Sequence, residues 1–207
     1  MLRAAVVVAI VLLVAFLVGY VVGGPPLLGL PALMWLAGLA LGVNAIAFVP
    51  AFLARTERFY DLVGSLTSLA LTAATVAIAA QHGTMSPVSV AAAVAVVLWA
   101  GRLGLFLFLR IRAHGKDGRF DAIKQSAPRF LIAWILQGLW VFLTTLSALT
   151  LVLLGPAVDG WGVAGFGLWA LGYAVEVIAD QQKTRFRRAH SGRFIDTGLW
   201  AWSRHPN

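Results

Sequence analysis

Three clusters of ionisable side chains have the types and spacing to do chemistry, and each falls at the end of a long apolar run. Glu57-Arg58-Phe59-Tyr60-Asp61 places two carboxylates and a phenol within five residues. Such a group can supply a proton to a bound molecule. It can equally serve as an interfacial anchor closed by i,i+3 or i,i+4 ion pairs. Glu176 and Asp180 stand four residues apart, which puts both carboxylates on one helix face. There they can bind a cation, hold an arginine, or accept hydrogen bonds from ribose hydroxyls; the structural alternative is an ion pair between helices. Lys183-Thr184-Arg185-Phe186-Arg187-Arg188 follows directly. Arginines fork onto phosphate oxygens, so this run suits a phosphate-bearing ligand. It suits anionic lipid headgroups as well.

Two further features cost energy or carry charge. Arg102 lies inside an apolar run, eight residues before Arg110, so about 12 Å deeper along a helix. An intramembrane arginine is expensive and is usually paired or turned to a polar cavity; the alternative is a shorter span from which Arg102 snorkels. Arg110–Phe120 reads RIRAHGKDGRF, a turn in which Gly115 and Gly118 flank Lys116-Asp117, with cations on both sides of one acid. Other chemistries are excluded. Cysteine is absent, which removes disulfides, thiolate metal sites and cysteine nucleophiles together. His82, His114 and His190 form no pair with metal-ligand spacing on a helix face. The chain has neither a P-loop nor a GxGxxG turn after a strand.

The elements that must position these groups are membrane helices. The chain has 207 residues, 60% hydrophobic and 12% charged, with a mean hydropathy of +0.88. Soluble domains carry about 25% charged residues. Six apolar runs, at 4–22, 31–53, 62–80, 88–109, 130–154 and 161–179, are each long enough to cross ~30 Å of hydrocarbon as a helix. The fold class expected is therefore all-α, a polytopic transmembrane bundle of six spans forming one membrane domain. The first run is too long for a signal-peptide core and lacks a clean cleavage site. Basic residues sort the connections. Residues 23–26, 81–87 and 155–160 carry no Lys or Arg. Arg3, Arg55 and Arg58, the stretch from Arg110 to Arg129, and the tail from Lys183 to Arg204 hold all the basic residues except Arg102. The positive-inside rule then predicts a cytoplasmic N-terminus and a basic cytoplasmic segment over 180–207. The net charge of +8 is read as cytoplasmic loops and a phosphate-bearing ligand rather than as a nucleic-acid surface.

The segments ERFYDLVGSLT (Glu57–Thr67), RLGLFLFLRIRAHGKDGRF (Arg102–Phe120), EVIADQQKTRFR (Glu176–Arg187) and DTGLWAWSRHPN (Asp196–Asn207) resemble, in order and membrane placement, the bacterial branch of the steroid 5-alpha-reductase-like membrane proteins. The resemblance spans about residues 44–207. It implies an integral membrane enzyme of the bacterial inner membrane that takes a hydride from NADPH and reduces an activated carbon–carbon double bond in a lipid-like enone. The cofactor would enter from the cytoplasm and the hydrophobic substrate from the bilayer. The family's cofactor-binding positions map onto Arg102, Arg110, Asp117, Arg119, Glu176, Asp180, Arg187 and Asn207. Gln182 and Lys183 join them by their chemistry, and Arg204 and His205 by their place in the SRHPN motif. The arginines would neutralise the pyrophosphate and 2′-phosphate, and Asp180 would accept from ribose. Where the animal steroid reductases carry a catalytic tyrosine, this chain has Trp99, whose indole is no acid at neutral pH. The proton donor would then be Tyr60, Asp61 or Glu57.

Two other readings compete. Integral membrane methyltransferases of the isoprenylcysteine and phospholipid type, which use S-adenosylmethionine, share a pattern that Gly198, Arg204, His205 and Pro206 also fit. The arginine-rich stretches favour the reductase, since S-adenosylmethionine has no phosphate. A lipid-binding or transport protein without chemistry would call for paired broken helices, and the spans show none. The family motif ordinarily runs on past the HPN into further apolar helices, so the sequence given is expected to be a fragment or a truncated form with one wall of the cofactor pocket absent.

Overall fold

In hydrocarbon, backbone N–H and C=O groups are satisfied only within a helix or a closed barrel, and this sequence takes the first solution throughout. The computed structural model describes residues 2–115, 117–190 and 193–207; Lys116, one of the loop cations noted above, lies outside them. Among the described residues there are six long helices, α1 (Leu2–Val22), α2 (Ala32–Leu53), α3 (Tyr60–Gln81), α4 (Pro87–His114), α5 (Ala127–Leu154) and α6 (Gly160–Ala189). All six are long and apolar enough to cross a membrane. The chain divides into two units, Met1–Ala157 and Val158–Asn207.

Two helices outrun their apolar stretches. α4 continues to His114 and α6 to Ala189, past the 109 and 179 at which hydropathy alone ends them. Arg, Lys and Gln are good helix formers, so the ladder runs on beyond the hydrocarbon edge. Arg187 and Arg188 in the last turn of α6 also complement the negative end of the helix dipole. The expected polar segment from 180 thus begins as helix.

In the first unit, α2 and α5 pack along the centre. A Cβ on Gly138 would lie 2.9 Å from the Ala40 carbonyl oxygen, so only glycine permits this approach, a common device where helices meet in lipid. Leu33, Leu36, Leu71, Phe142 and Leu149 form the buried apolar core. Towards one end it becomes aromatic: Phe130 and Trp134 meet edge to face at 5.9 Å, and the Tyr60 and Phe120 rings lie 4.8 Å apart.

The connections sort by end as their charges do. Ser86 caps α4 in a reciprocal pair with Ser89, and its hydroxyl donates to the Pro156 carbonyl at 3.1 Å. This joins two connections that lack basic residues. At the opposite end Glu57, before α3, accepts from the residues that follow α4.

The remaining charge-poor connection is a two-residue hairpin, β1 (Pro26–Leu27) antiparallel to β2 (Leu30–Pro31). Its turn residues Leu28 and Gly29 both have positive φ, +51° and +80°, as a type I′ turn requires. Leucine resists this conformation by roughly 1–2 kcal/mol, and Leu28 is 83% exposed, so it packs on little. Leu28→Asn is expected to raise the thermal midpoint in detergent, with about 0.5–1 kcal/mol gained; a lower midpoint would contradict this account of the turn.

Candidate functional site

The polar start of α3 lines a cavity. Between α3, α4 and α5 lies a space of about 580 Å³. Its polar end carries Tyr60, Asp61, Ser65, Ser68 and Gln137; Leu103, Leu107, Trp140 and neighbouring apolar groups line the rest, with Trp99 among them. Glycines shape its walls. A Cβ on Gly64 would meet the Gln137 amide at 2.6 Å, and one on Gly104 would meet Ser65 at 2.6 Å.

The hydroxyls of α3 divide into two sets. Thr67, Ser68, Thr72 and Thr75 each donate to the carbonyl four residues earlier, at 2.6–3.2 Å. These groups are satisfied within the helix. Ser65 makes no such bond among the described residues, so its hydroxyl remains a donor at the cavity wall. Gln137, 9% exposed, donates through Nε2 to the Tyr60 carbonyl at 2.8 Å. Its Oε1 is buried without a partner among the described residues, an acceptor whose isolation costs free energy unless a ligand or water meets it. The polar GSLTS stretch signalled Ser65 and Ser68. Gln137 went unread, although one amide in the middle of an apolar run is itself a signal.

The three candidate proton donors differ in their commitments. The Tyr60 hydroxyl donates to the Ala133 carbonyl at 2.8 Å. Asp61 faces Arg110, with 3.7 Å between carboxylate and guanidinium. Glu57 is 4% exposed and does not line the cavity; it accepts from the Asp117 N–H at 3.0 Å and from Lys124 Nζ at 2.7 Å. Lys124 also meets Asp121 at 3.2 Å. Burial pushes the Glu57 carboxyl up, but the Lys124 ammonium and the N–H donors outweigh it and leave the group below its ordinary range. Lys124 is held above its own ordinary value, chiefly by Glu57. Glu57 therefore ties the segment after α4 to the segment before α3.

Beside this tie, Asp117 takes the Arg119 guanidinium through both carboxylate oxygens and is pulled below its usual range, first by that bond. Two of the expected phosphate ligands, Arg110 and Arg119, thus lie next to carboxylates, while Arg102 sits over the Phe106 ring at 5.2 Å.

In the second unit the chain after α6 folds back on the helix end. Trp200 Nε1 donates to the Ala179 carbonyl at 3.0 Å, and the Leu199 N–H donates to Gln182 Oε1 at 3.0 Å. Gly198 (φ +63°) leaves room for that amide. The Lys183 ammonium lies 4.3 Å from the Trp200 ring centre. Asp180, 4% exposed, accepts from Asn207 Nδ2 at 2.6 Å. Asp180, Gln182, Lys183 and Asn207 are thereby brought into one neighbourhood. Glu176 is half-buried one turn earlier on α6; Arg187, Arg204 and His205 are exposed. A buried carboxylate with a neutral amide beside it and cations on the same helix is a donor and acceptor set that fits a phosphorylated dinucleotide.

Six apolar spans and a polar-ended cavity within the helices define an integral membrane α-helical protein. Residues 47–207 match the family described as "Protein of unknown function (DUF1295)", and the chain belongs to that family. No curated protein and no solved structure matches it.

Proposed function

We propose that this protein is a membrane-embedded reductase that transfers a hydride from NADPH to the carbon–carbon double bond of a lipid-like enone. The family is steroid 5-alpha-reductase-like in character, which supports a membrane reductase. The observation that carries the finer reading is the cavity between α3, α4 and α5. Its volume falls within the roughly 300–1,000 Å³ of small-molecule sites. It is apolar along most of its wall and polar at one end, which suits a greasy molecule with one polar group. With the N-terminus cytoplasmic, that end lies on the side from which a soluble cofactor arrives.

NADPH, when bound, supplies the hydride. The β-carbon of the enone accepts it, a proton reaches the α-carbon, and the double bond becomes single. The chain's residues hold and polarise. Each unit by itself carries expected cofactor ligands: Arg102, Arg110 and Arg119 for phosphate in the first, and Arg187 for phosphate with Asp180 and Asn207 for ribose hydroxyls in the second. At the cavity, Ser65 donates to the enone carbonyl, with Asp61 and Tyr60 beside it as proton sources.

NADPH oxidation on addition of long-chain enones to the detergent-purified protein tests this reading. Ser65→Ala is expected to lower turnover on the order of hundredfold, as for loss of one preorganised donor, with NADPH affinity unchanged. Methyl transfer from S-adenosylmethionine without NADPH oxidation would replace this reading with the methyltransferase one.

A further inference from the structure

At the basic end of the first unit, three cations are matched by carboxylates: Arg110 by Asp61, Arg119 by Asp117, and Lys124 by Glu57 and Asp121. Arg58 and Arg112 have no acidic partner among the described residues, and they share a separate pocket. It has a volume of about 300 Å³ and is lined by Arg58, Phe59, Phe108, Ile111, Arg112 and Gly115. Arg58 is aimed by its Nε, which donates to the Gly115 carbonyl at 2.9 Å. This leaves its two terminal amino groups for a ligand. The Arg112 guanidinium lies over the Phe108 ring at 5.8 Å. Helical periodicity puts Leu105, Phe108, Leu109 and Arg112 on one face of α4, away from Arg110. Leu105 and Leu109 on that face are exposed, as is Phe59. The pocket therefore has two guanidinium groups at its head and an open aliphatic stripe leading into the apolar length of α4.

We infer that this pocket binds the phosphate headgroup of an anionic phospholipid. The two arginines take the phosphate oxygens and the acyl chains lie along Leu105 and Leu109. Two exposed cations sharing one pocket without a carboxylate make a positive cleft that concentrates anions. The membrane-edge position and the aliphatic stripe favour a lipid over a soluble phosphate. The site is independent of the proposed reaction, and its residues line neither the cavity nor the set around Asp180.

Native mass spectrometry of the full chain released from detergent reads lipid adducts directly. Phosphatidylglycerol is expected to bind at least about fivefold tighter than phosphatidylcholine, as one arginine near an anionic headgroup would give. Arg112→Gln should lower that preference about fivefold, the share of one arginine. Arg58→Gln should do the same; should its lost bond to Gly115 impair folding, Arg112→Gln carries the test alone. Arg55→Gln, an exposed cation outside the pocket, should change nothing. The inference is overturned if the two lipids bind equally, if Arg112→Gln keeps the full preference, or if Arg55→Gln loses as much. Inorganic phosphate that displaces phosphatidylglycerol at an equal concentration would also overturn it, by making the ligand a free anion.

Discussion

Glu57→Ala is expected to destabilise the protein by about 3 kcal/mol. Removing one member of a buried ion pair typically costs about 3–5 kcal/mol, because the partner charge is left uncompensated; Lys124 keeps some access to solvent and the contact with Asp121, which favours the lower figure. The loss also strips the Asp117 N–H of its acceptor. The segment after α4 should then exchange its amide hydrogens faster from Asp117 to Ser126, while the cores of α2 and α5 are spared. Glu57→Gln keeps one acceptor and should lose less. A variant within about 0.5 kcal/mol of the parent, the range of ordinary surface changes, would mean that Glu57 does not tie the two segments.

The same pair sets a pH dependence. Glu57 is depressed in the folded state, so its contribution is present above its ordinary value near 4.5 and is lost as pH falls through the folded value. Lys124 is raised, so its contribution is present below about 10.5 and is lost as pH rises through the folded value. Stability measured against pH should be flat between these limits with respect to this pair and fall on the acid side. That acid-side fall should be shallower in Glu57→Gln. An identical acid limb in the variant would assign the loss to other carboxylates.

The second large effect concerns the exposed end of α6. Arg187→Ala is expected to weaken NADPH binding roughly ten- to hundredfold and NADH binding far less, since a charge-assisted hydrogen bond is worth about 1.5–3 kcal/mol and only NADPH has the 2′-phosphate. Asp180→Ala should weaken both alike, because both carry riboses and because Asn207 loses the carboxylate that holds its amide. Equal losses for the two cofactors in Arg187→Ala would remove Arg187 from the phosphate. Unchanged affinity in Asp180→Ala would remove Asp180 from the site.

The helices were legible because a bilayer makes hydropathy decisive: the apolar runs coincide with the six spans, and the connections without basic residues at 81–87 and 155–160 come together through Ser86 and Pro156. The ends were less legible. Hydropathy stops where charge begins, while the backbone ladder of α4 and α6 continues through Arg and Lys that favour helix. The candidate residues were legible as types but not as partners. Spacing could place Glu57, Tyr60 and Asp61 together at a boundary. It could not show that Lys124, 67 residues away, would take Glu57, or that the Tyr60 proton would go to Ala133. Such pairings depend on how helices pack, which one chain's periodicity does not encode. Gln137 belongs with them: its cost is visible in the sequence, but its place on the cavity wall comes only from the approach of α5 to Gly64.

The most direct test of the reductase reading is a thermal-shift titration of the purified protein in detergent with NADPH, NADH and S-adenosylmethionine. A ligand at about 100 times its dissociation constant stabilises a folded protein by about 2.7 kcal/mol. NADPH is predicted to raise the unfolding temperature, NADH to do so only at higher concentration, and S-adenosylmethionine to have no effect. Stabilisation by S-adenosylmethionine with none from NADPH would contradict the account.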